Sequence, residues 1–163
     1  MQSWSKRPTE IAHLLNPAFC ALVLSQAVRG YTEDAEVGMP FPFVFLVLPI
    51  VLHKPTRDTL PASVLTKMHP WLEQHQQAQV GFADRCATIV DFARESLLYA
   101  LSRNLLKFAG GARLESSGAR IRRPAWPEDS ETVECLEKAR FVGRWFARAG
   151  QTTAVYTMWG VRP

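Results

Sequence analysis

The chain has 163 residues, of which 47% are apolar and 21% charged, and its formal net charge is +4. These values suit one globular domain that buries a core unaided. The three cysteines, Cys20, Cys86 and Cys135, are odd in number, widely separated and free of any C-x-x-C spacing. That excludes a disulfide framework and points to buried or half-buried free thiols in a reducing cytoplasm.

The opening segment, MQSWSKRPTE, is polar and has no signal-peptide pattern, so residues 1–8 read as a flexible N-terminus. Over residues 9–29 the apolar positions Ile11, Leu14, Leu15, Ala18, Phe19, Leu22, Val23 and Ala27 recur in three- and four-residue steps, which predicts a helix. Thr9, after Pro8, would cap it and Gly30 would end it. Asn16-Pro17 is an interruption that would allow two shorter helices. Residues 31–38 are acidic and polar, which predicts a loop.

FPFVFLVLPIVLH, residues 41–53, is the most apolar stretch of the chain. Its uncharged run falls short of the roughly 20 residues of a membrane-spanning helix. Pro40, Pro42 and Pro49 punctuate it, and Lys54 and Arg57 close it. The run predicts a helix that is apolar all round and therefore buried on most faces, with Pro40 and Pro42 at its entry and Pro49 kinking it. Burying one Phe or Leu contributes about 1.5–3 kcal/mol. Phe41, Phe43, Phe45, Leu46, Leu48, Ile50 and Leu52 therefore cannot all stay wet. A face left open would suit another protein.

A further helix is predicted over 59–77, opening at Thr59 ahead of Pro61, with His69-Pro70 as a break point. Residues 80–108 hold the longest stripe, Phe82, Cys86, Ile89, Ala93, Leu97, Leu101, Leu105 and Phe108, ended by Gly110-Gly111. ARLESSGARIRR then alternates polar and apolar around Ser117-Gly118, predicting a β-hairpin within 111–124. Asp129 or Ser130 would cap a last long helix, with Glu131 and Glu134 in its first turns and Gly150 at its end. The final TTAVYTMWGV reads either as a strand or as one to two helical turns.

The predicted organisation is a single domain, 1–163: a helical core over 9–110, the hairpin over 111–124, and a C-terminal helix and tail over 128–163. Helices followed by a glycine break and a hairpin suggest a mainly α fold, a winged helix-turn-helix core with a small β-hairpin wing. A plain helical bundle with a hairpin appendage fits the same order.

Catalytic signatures are missing. There is no G-x-x-x-x-G-K-[ST], G-x-G-x-x-G or G-x-S-x-G, and AGGAR lacks the lysine and hydroxyl that hold nucleotide phosphates and magnesium. The chain is therefore not expected to hydrolyse ATP. His13, His53, His69 and His75 form no H-E-x-x-H, and a zinc site needs three or four convergent ligands. Glu33, Asp34 and Glu36 read as a solvated turn rather than an acid/base pair. No catalytic, cofactor-binding or metal-ligating residue is assigned.

Charge is unevenly spread. Up to Ser102 there are eight Lys/Arg against nine Asp/Glu; from Arg103 onward, eleven against six. The hairpin supplies Arg113, Arg120, Arg122 and Arg123. The last helix supplies Arg140, Arg144 and Arg148, four residues apart and so on one stripe, flanked by Phe141 and Trp145. These seven arginines are candidates for nucleic-acid phosphates or an acidic partner. The alternative is a solvated helix face with Glu134–Lys138 and Glu137–Arg140 pairs.

Four ordered blocks carry a resemblance: RPTEIAHLLNPAFCALVL, GMPFPFVFLVLPIVLHKPTRDTLP, VGFADRC with FARESLLYAL, and KARFVGRWFARAG with VYTMWGVRP. Together they resemble the middle component of bacterial three-component ABC systems. The likeness covers roughly residues 7–163 and is least clear over 111–131.

The resemblance implies a small non-enzymatic adaptor without cofactor. It would be encoded beside an SMC/Rad50-like ABC ATPase and an effector-linked component, in a system that acts against phage or plasmids. Such an adaptor would be cytoplasmic, touch no membrane, and share DNA only jointly within the complex. Its contact candidates are Phe41, Phe43, Phe45 and Trp145, together with Trp159 and Arg162 of the WGVRP ending, since Trp and Arg are favoured in interface hot spots. Simple packing against the last helix is the other reading of Trp159. A stand-alone winged-helix DNA-binding regulator is the alternative function, and an enzyme of unrecognised type ranks third.

Overall fold

The computed structural model describes residues 15–119 and 126–162. Thr9, His13, Arg120, Arg122 and Arg123, on which some expectations rest, lie outside the described residues.

Helix α1 spans Pro17–Ala35. Asn16 starts it: its side chain accepts from the Ala18 amide at 2.9 Å, and Pro17 occupies the first position, where no backbone donor is needed. Asn16-Pro17 is thus where this helix starts, and the part of the expected helix before it, from residue 9, lies outside the described residues. The expected ending at Gly30 is also corrected, because the helix continues to Ala35 and closes at Glu36 with φ 57°. Gly30 serves a different purpose. A Cβ there would overlap the Arg140 carbonyl oxygen and lie 2.9 Å from its carbon.

Strand β1 is Met39–Pro40, and a tight 3-10 turn over Phe41–Phe43 leads into helix α2, Val44–Val51. The apolar segment is therefore two elements rather than one kinked helix. In α2 every residue but Phe45 is buried, and Pro49 sits inside the helix. Helix α2 packs against α1, against α5 (Phe82–Ser102) and against α6 (Glu131–Ala149). Its apolar surround is what lets an eight-residue helix persist, since short helices owe their stability to packing.

The helix predicted over 59–77 is corrected to α3, Lys54–Thr59, and α4, Met68–Gln74, followed by a 3-10 turn over Gln76–Ala78. Leu60 is extended at ψ 141° before Pro61, as the residue preceding a proline prefers. Pro70 falls in the first turn of α4, where its missing N–H costs nothing.

The expected stripe over 80–108 also divides. Helix α5 ends at Ser102, and Leu106–Ala109 forms strand β2. Strand β3, Arg113–Ser116, pairs with it antiparallel, in the register Phe108 to Leu114 and Ala109 to Arg113. The hairpin therefore turns at Gly110-Gly111, not at Ser117-Gly118. Gly111 at φ 73° and Ala112 at φ 53° supply the left-handed backbone of the turn. Strand β1 adds to the other edge of β3, giving a three-stranded sheet in the order β1-β3-β2.

Helix α6 follows its expectation. The Ser130 side chain accepts from the Val133 amide, Glu131 and Glu134 occupy the first turn, and Gly150 ends it. Helix α7, Thr152–Met158, makes the helical reading of the last segment the observed one.

The fold is mainly helical, and the α1–α6 crossing is its tightest joint. A Cβ at Gly143 would overlap the Ala27 carbonyl oxygen and stand 2.8 Å from its carbon and 2.9 Å from the Tyr31 nitrogen. Gly30 and Gly143 thus bring two backbones into direct contact. A second joint is aromatic. Trp71 of α4 meets Trp145 of α6 edge-on at 5.2 Å, and Trp159 packs on Phe82 at 4.5 Å and on Trp71 at 6.3 Å. The Trp145 indole donates to the Thr66 carbonyl at 2.6 Å, fixing the irregular segment before α4. None of the described helices is long and apolar enough to cross a membrane.

Candidate functional site

Two places combine accessible apolar surface with an ordered frame. The first is an aromatic corner where the start of the apolar segment meets the hairpin. Phe41 lies 5.4 Å from Phe45, edge to face, and 5.8 Å from Phe108. Phe41 and Phe45 are half-buried, Pro42 is exposed, and Phe108 is 52% exposed.

Backbone and core contacts hold this corner. The Phe41 amide donates to the Ala112 carbonyl at 3.0 Å, continuing the β1–β3 pairing beyond the strand. The Tyr156 hydroxyl of α7 donates to the Pro42 carbonyl at 2.6 Å. Burial pushes the Tyr156 phenol up to about 12, so it remains a donor at neutral pH. Phe43, between the exposed positions, turns inward and packs on Phe146 at 4.7 Å and Tyr31 at 6.0 Å. Gly38 lets β1 approach, since a Cβ there would stand 2.9 Å from the Leu114 carbonyl oxygen.

The second place is a pocket of about 540 Å³. Leu15, Phe19, Pro49, Leu52, Ile89 and Trp126 form apolar walls, and His53, Arg57, Arg85, Glu131 and Cys135 are polar lining. Phe19 and Trp126 meet edge to face at 6.5 Å. The Arg57 side chain is only 1% exposed. It donates to the Val51 carbonyl at 2.9 Å and to the Glu131 carboxylate, and its Nε stands 3.5 Å from Glu134. Burial alone would ease its proton off, but the hydrogen bond to Glu131 and the charges of Glu131 and Glu134 outweigh this and hold it cationic.

The contact candidates separate clearly. Phe41, Phe45 and Arg162 reach the surface, whereas Phe43, Trp145 and Trp159 lie in the core and act by supporting it. Among the basic candidates, Arg113 donates to the Gly38 carbonyl at 2.8 Å. Arg140 grips Glu33 with two bonds, at 3.0 and 2.7 Å, and Arg144 bonds Asp34 at 2.9 Å. Arg148 bonds the second Asp34 oxygen. The stripe of the last helix therefore faces the end of α1, which also explains why the acidic 31–35 segment is helical rather than a loop. Burial works to raise the Asp34 carboxyl, yet the Arg144 and Arg148 bonds prevail and hold it below its ordinary range.

Sequence reasoning missed Phe108, which it placed in the long helical stripe, and the Arg57 cluster altogether. Phe108 was findable, because Gly110-Gly111 is itself a hairpin-turn signal. Arg57 and Glu131 are 74 positions apart, and no local pattern links them.

The thiols offer no nucleophile: burial pushes Cys20 and Cys86 up to about 12 and raises Cys135 as well. Among the described residues no three His, Cys, Asp or Glu side chains converge as metal ligands.

Neither a curated protein nor a solved structure matches the chain. A family model does, over residues 4–163, nearly the whole length. The chain belongs to the Middle Component 3 (MC3) family of ABC-three component (ABC-3C) systems.

Proposed function

We propose that the chain is a non-enzymatic adaptor that joins an SMC/Rad50-like ABC ATPase to an effector-linked component, in a cytoplasmic bacterial system directed against phage or plasmids. Membership of a middle-component family supplies the setting, since a component of a multi-part system works through partners. The observation that carries the docking assignment is the Phe41–Phe45–Phe108 corner. The Phe41 ring lies within 6 Å of both the Phe45 and the Phe108 rings at the surface, on a frame fixed by the sheet and by Tyr156. Aromatic anchors held rigid lose little entropy on binding and dominate interface energetics.

The stand-alone DNA-regulator reading draws less support. Arg140, Arg144 and Arg148 are engaged with Glu33 and Asp34, which competes with phosphate binding. A winged helix-turn-helix core remains part of the proposal on topology alone: one strand before the middle helices, then a hairpin after the long α5, with strand order β1-β3-β2.

Co-expression with the neighbouring gene products tests the adaptor reading. It expects co-purification with the Walker-motif ATPase and no turnover by the chain alone. Duplex DNA binding by the isolated chain, falling steeply with salt, together with no capture of either neighbour, would favour the regulator instead.

A further inference from the structure

The pocket beside Arg57 belongs neither to the sealed core nor to the docking corner. Leu15, Phe19, Leu52, Ile89 and Trp126 line it, and each is only half-buried. Five large apolar side chains left partly wet around about 540 Å³ mark a surface that another group covers. Charge inside the pocket selects nothing, because Glu131 and Glu134 already balance Arg57. The occupant is read from the apolar walls, the rim and the course of the chain.

The course of the chain comes first. Leu15 and Asn16, the first described residues, both line the pocket, so the chain enters the described fold at the pocket's mouth. Asn16 has ψ 118°, so the preceding chain leaves the axis of α1 there. Residues 4–14 lie outside the described residues, and extended they would span up to about 36 Å, ample to cross the pocket. The family model begins at residue 4, so this segment belongs to the unit that the family shares.

The segment's chemistry fits the site. It reads WSKRPTEIAHL, with Ile11 and Leu14 as apolar residues next to the mouth. Ile11 precedes Leu15 by four positions, as Leu15 precedes Phe19, and the latter two are wall residues. The rim beyond Trp126 is acidic: Glu128 and Asp129 are exposed, and Glu131 is 63% exposed. Lys6 and Arg7 supply the opposite charge.

We propose that the pocket is covered by this chain's own N-terminal segment, residues 4–14, with Ile11 and Leu14 seated against Phe19, Ile89 and Trp126 and with Lys6 and Arg7 over the Glu128–Asp129 rim. The proposal stands apart from the adaptor reading, since it concerns another face and needs no partner.

Paramagnetic broadening on the full chain tests it. The native thiols are buried, so a nitroxide can be placed on Ser5→Cys alone. The label should cut the Trp126 indole and Asp129 amide signals of the ¹⁵N spectrum to less than half. The Ala149 amide, roughly 27 Å from Glu131 along α6, should keep its intensity. Ile11→Asp/Leu14→Asp in the labelled chain should restore the two pocket signals to at least nine-tenths, which separates seating from mere tethering at Leu15. Lys6→Glu/Arg7→Glu, which changes polar side chains only, should at least halve the broadening and gives a second reading if the first variant does not fold. Unbroadened pocket signals, or broadening that either folded variant leaves unchanged, would overturn the proposal. Broadening of an unlabelled ¹⁵N chain by a labelled ¹⁴N chain mixed with it would overturn it in favour of a second copy's segment.

Discussion

The α1–α6 seam and the Phe41 corner are built from opposite logic. At the seam, glycines remove side chains so that backbones touch, and Glu33 and Asp34 cancel the arginines that cross it. At the corner, rings are held half out of the core by hydrogen bonds to their backbone, with no charge among them. The seam uses its polar groups internally, whereas the corner leaves apolar area outside. The difference separates what keeps the domain folded from what it offers to others.

The seam should break most easily at Gly143. Gly143→Ala forces a methyl into the Ala27 carbonyl, which is backbone and cannot swing away. A loss of about 3 kcal/mol is expected, the upper end for overpacking. In a domain of this size that corresponds to a fall of about 6–12 °C in Tm. A calorimetric scan in which the variant melts with wild type would remove the close-contact account of both glycines.

Asp34→Asn should cost about 1.5 kcal/mol at pH 7, discounted because Arg144 and Arg148 are 40% and 45% exposed. Against the pull of burial, the Arg144 and Arg148 bonds hold the folded-state pKa of Asp34 below its ordinary value. The contribution is therefore present above the unfolded value and is lost as pH falls through the folded one. Urea titrations from pH 7 to pH 2 should show the gap between variant and wild type closing at the acidic end. A gap that widens there would reverse the assigned sign.

Tyr156→Phe removes one hydrogen bond under the corner and should cost about 1 kcal/mol. Hydrogen exchange at the Phe41 amide, next to the Pro42 carbonyl that accepts the bond, should quicken more than at Val28 in α1. Uniform acceleration would mean that Tyr156 stabilises the whole domain rather than the corner.

Legibility in the sequence follows the range of the interactions. Helix α6 was readable end to end because Ser130, Glu131 and Gly150 are local signals. The all-round apolar character of 44–51 likewise announced a buried helix. Gly30 misled because a glycine near a helix end reads as a terminator, and only the approach of α6 reveals its other use. The hairpin was expected, but its turn was displaced: the stripe ending at Phe108 looked helical when read with Leu101 and Leu105. The basic stripe was visible as a pattern, yet its partners Glu33 and Asp34 lie more than 100 residues away. Of the candidate site, Phe41 and Phe45 could be named in advance because an apolar excess is visible in composition. Phe108 and Arg57 depend on pairings across the fold.

Phe108→Ser isolates the corner, since a half-exposed ring should alter stability by no more than about 0.5 kcal/mol. The decisive measurement is the affinity of the purified Phe41→Ser/Phe108→Ser chain for its co-encoded partner complex, taken beside wild type at matched folded fraction. A loss of about 2 kcal/mol, roughly thirtyfold in Kd, is the expected result. Undiminished affinity in a folded double variant would contradict the claim that this aromatic corner is the docking surface.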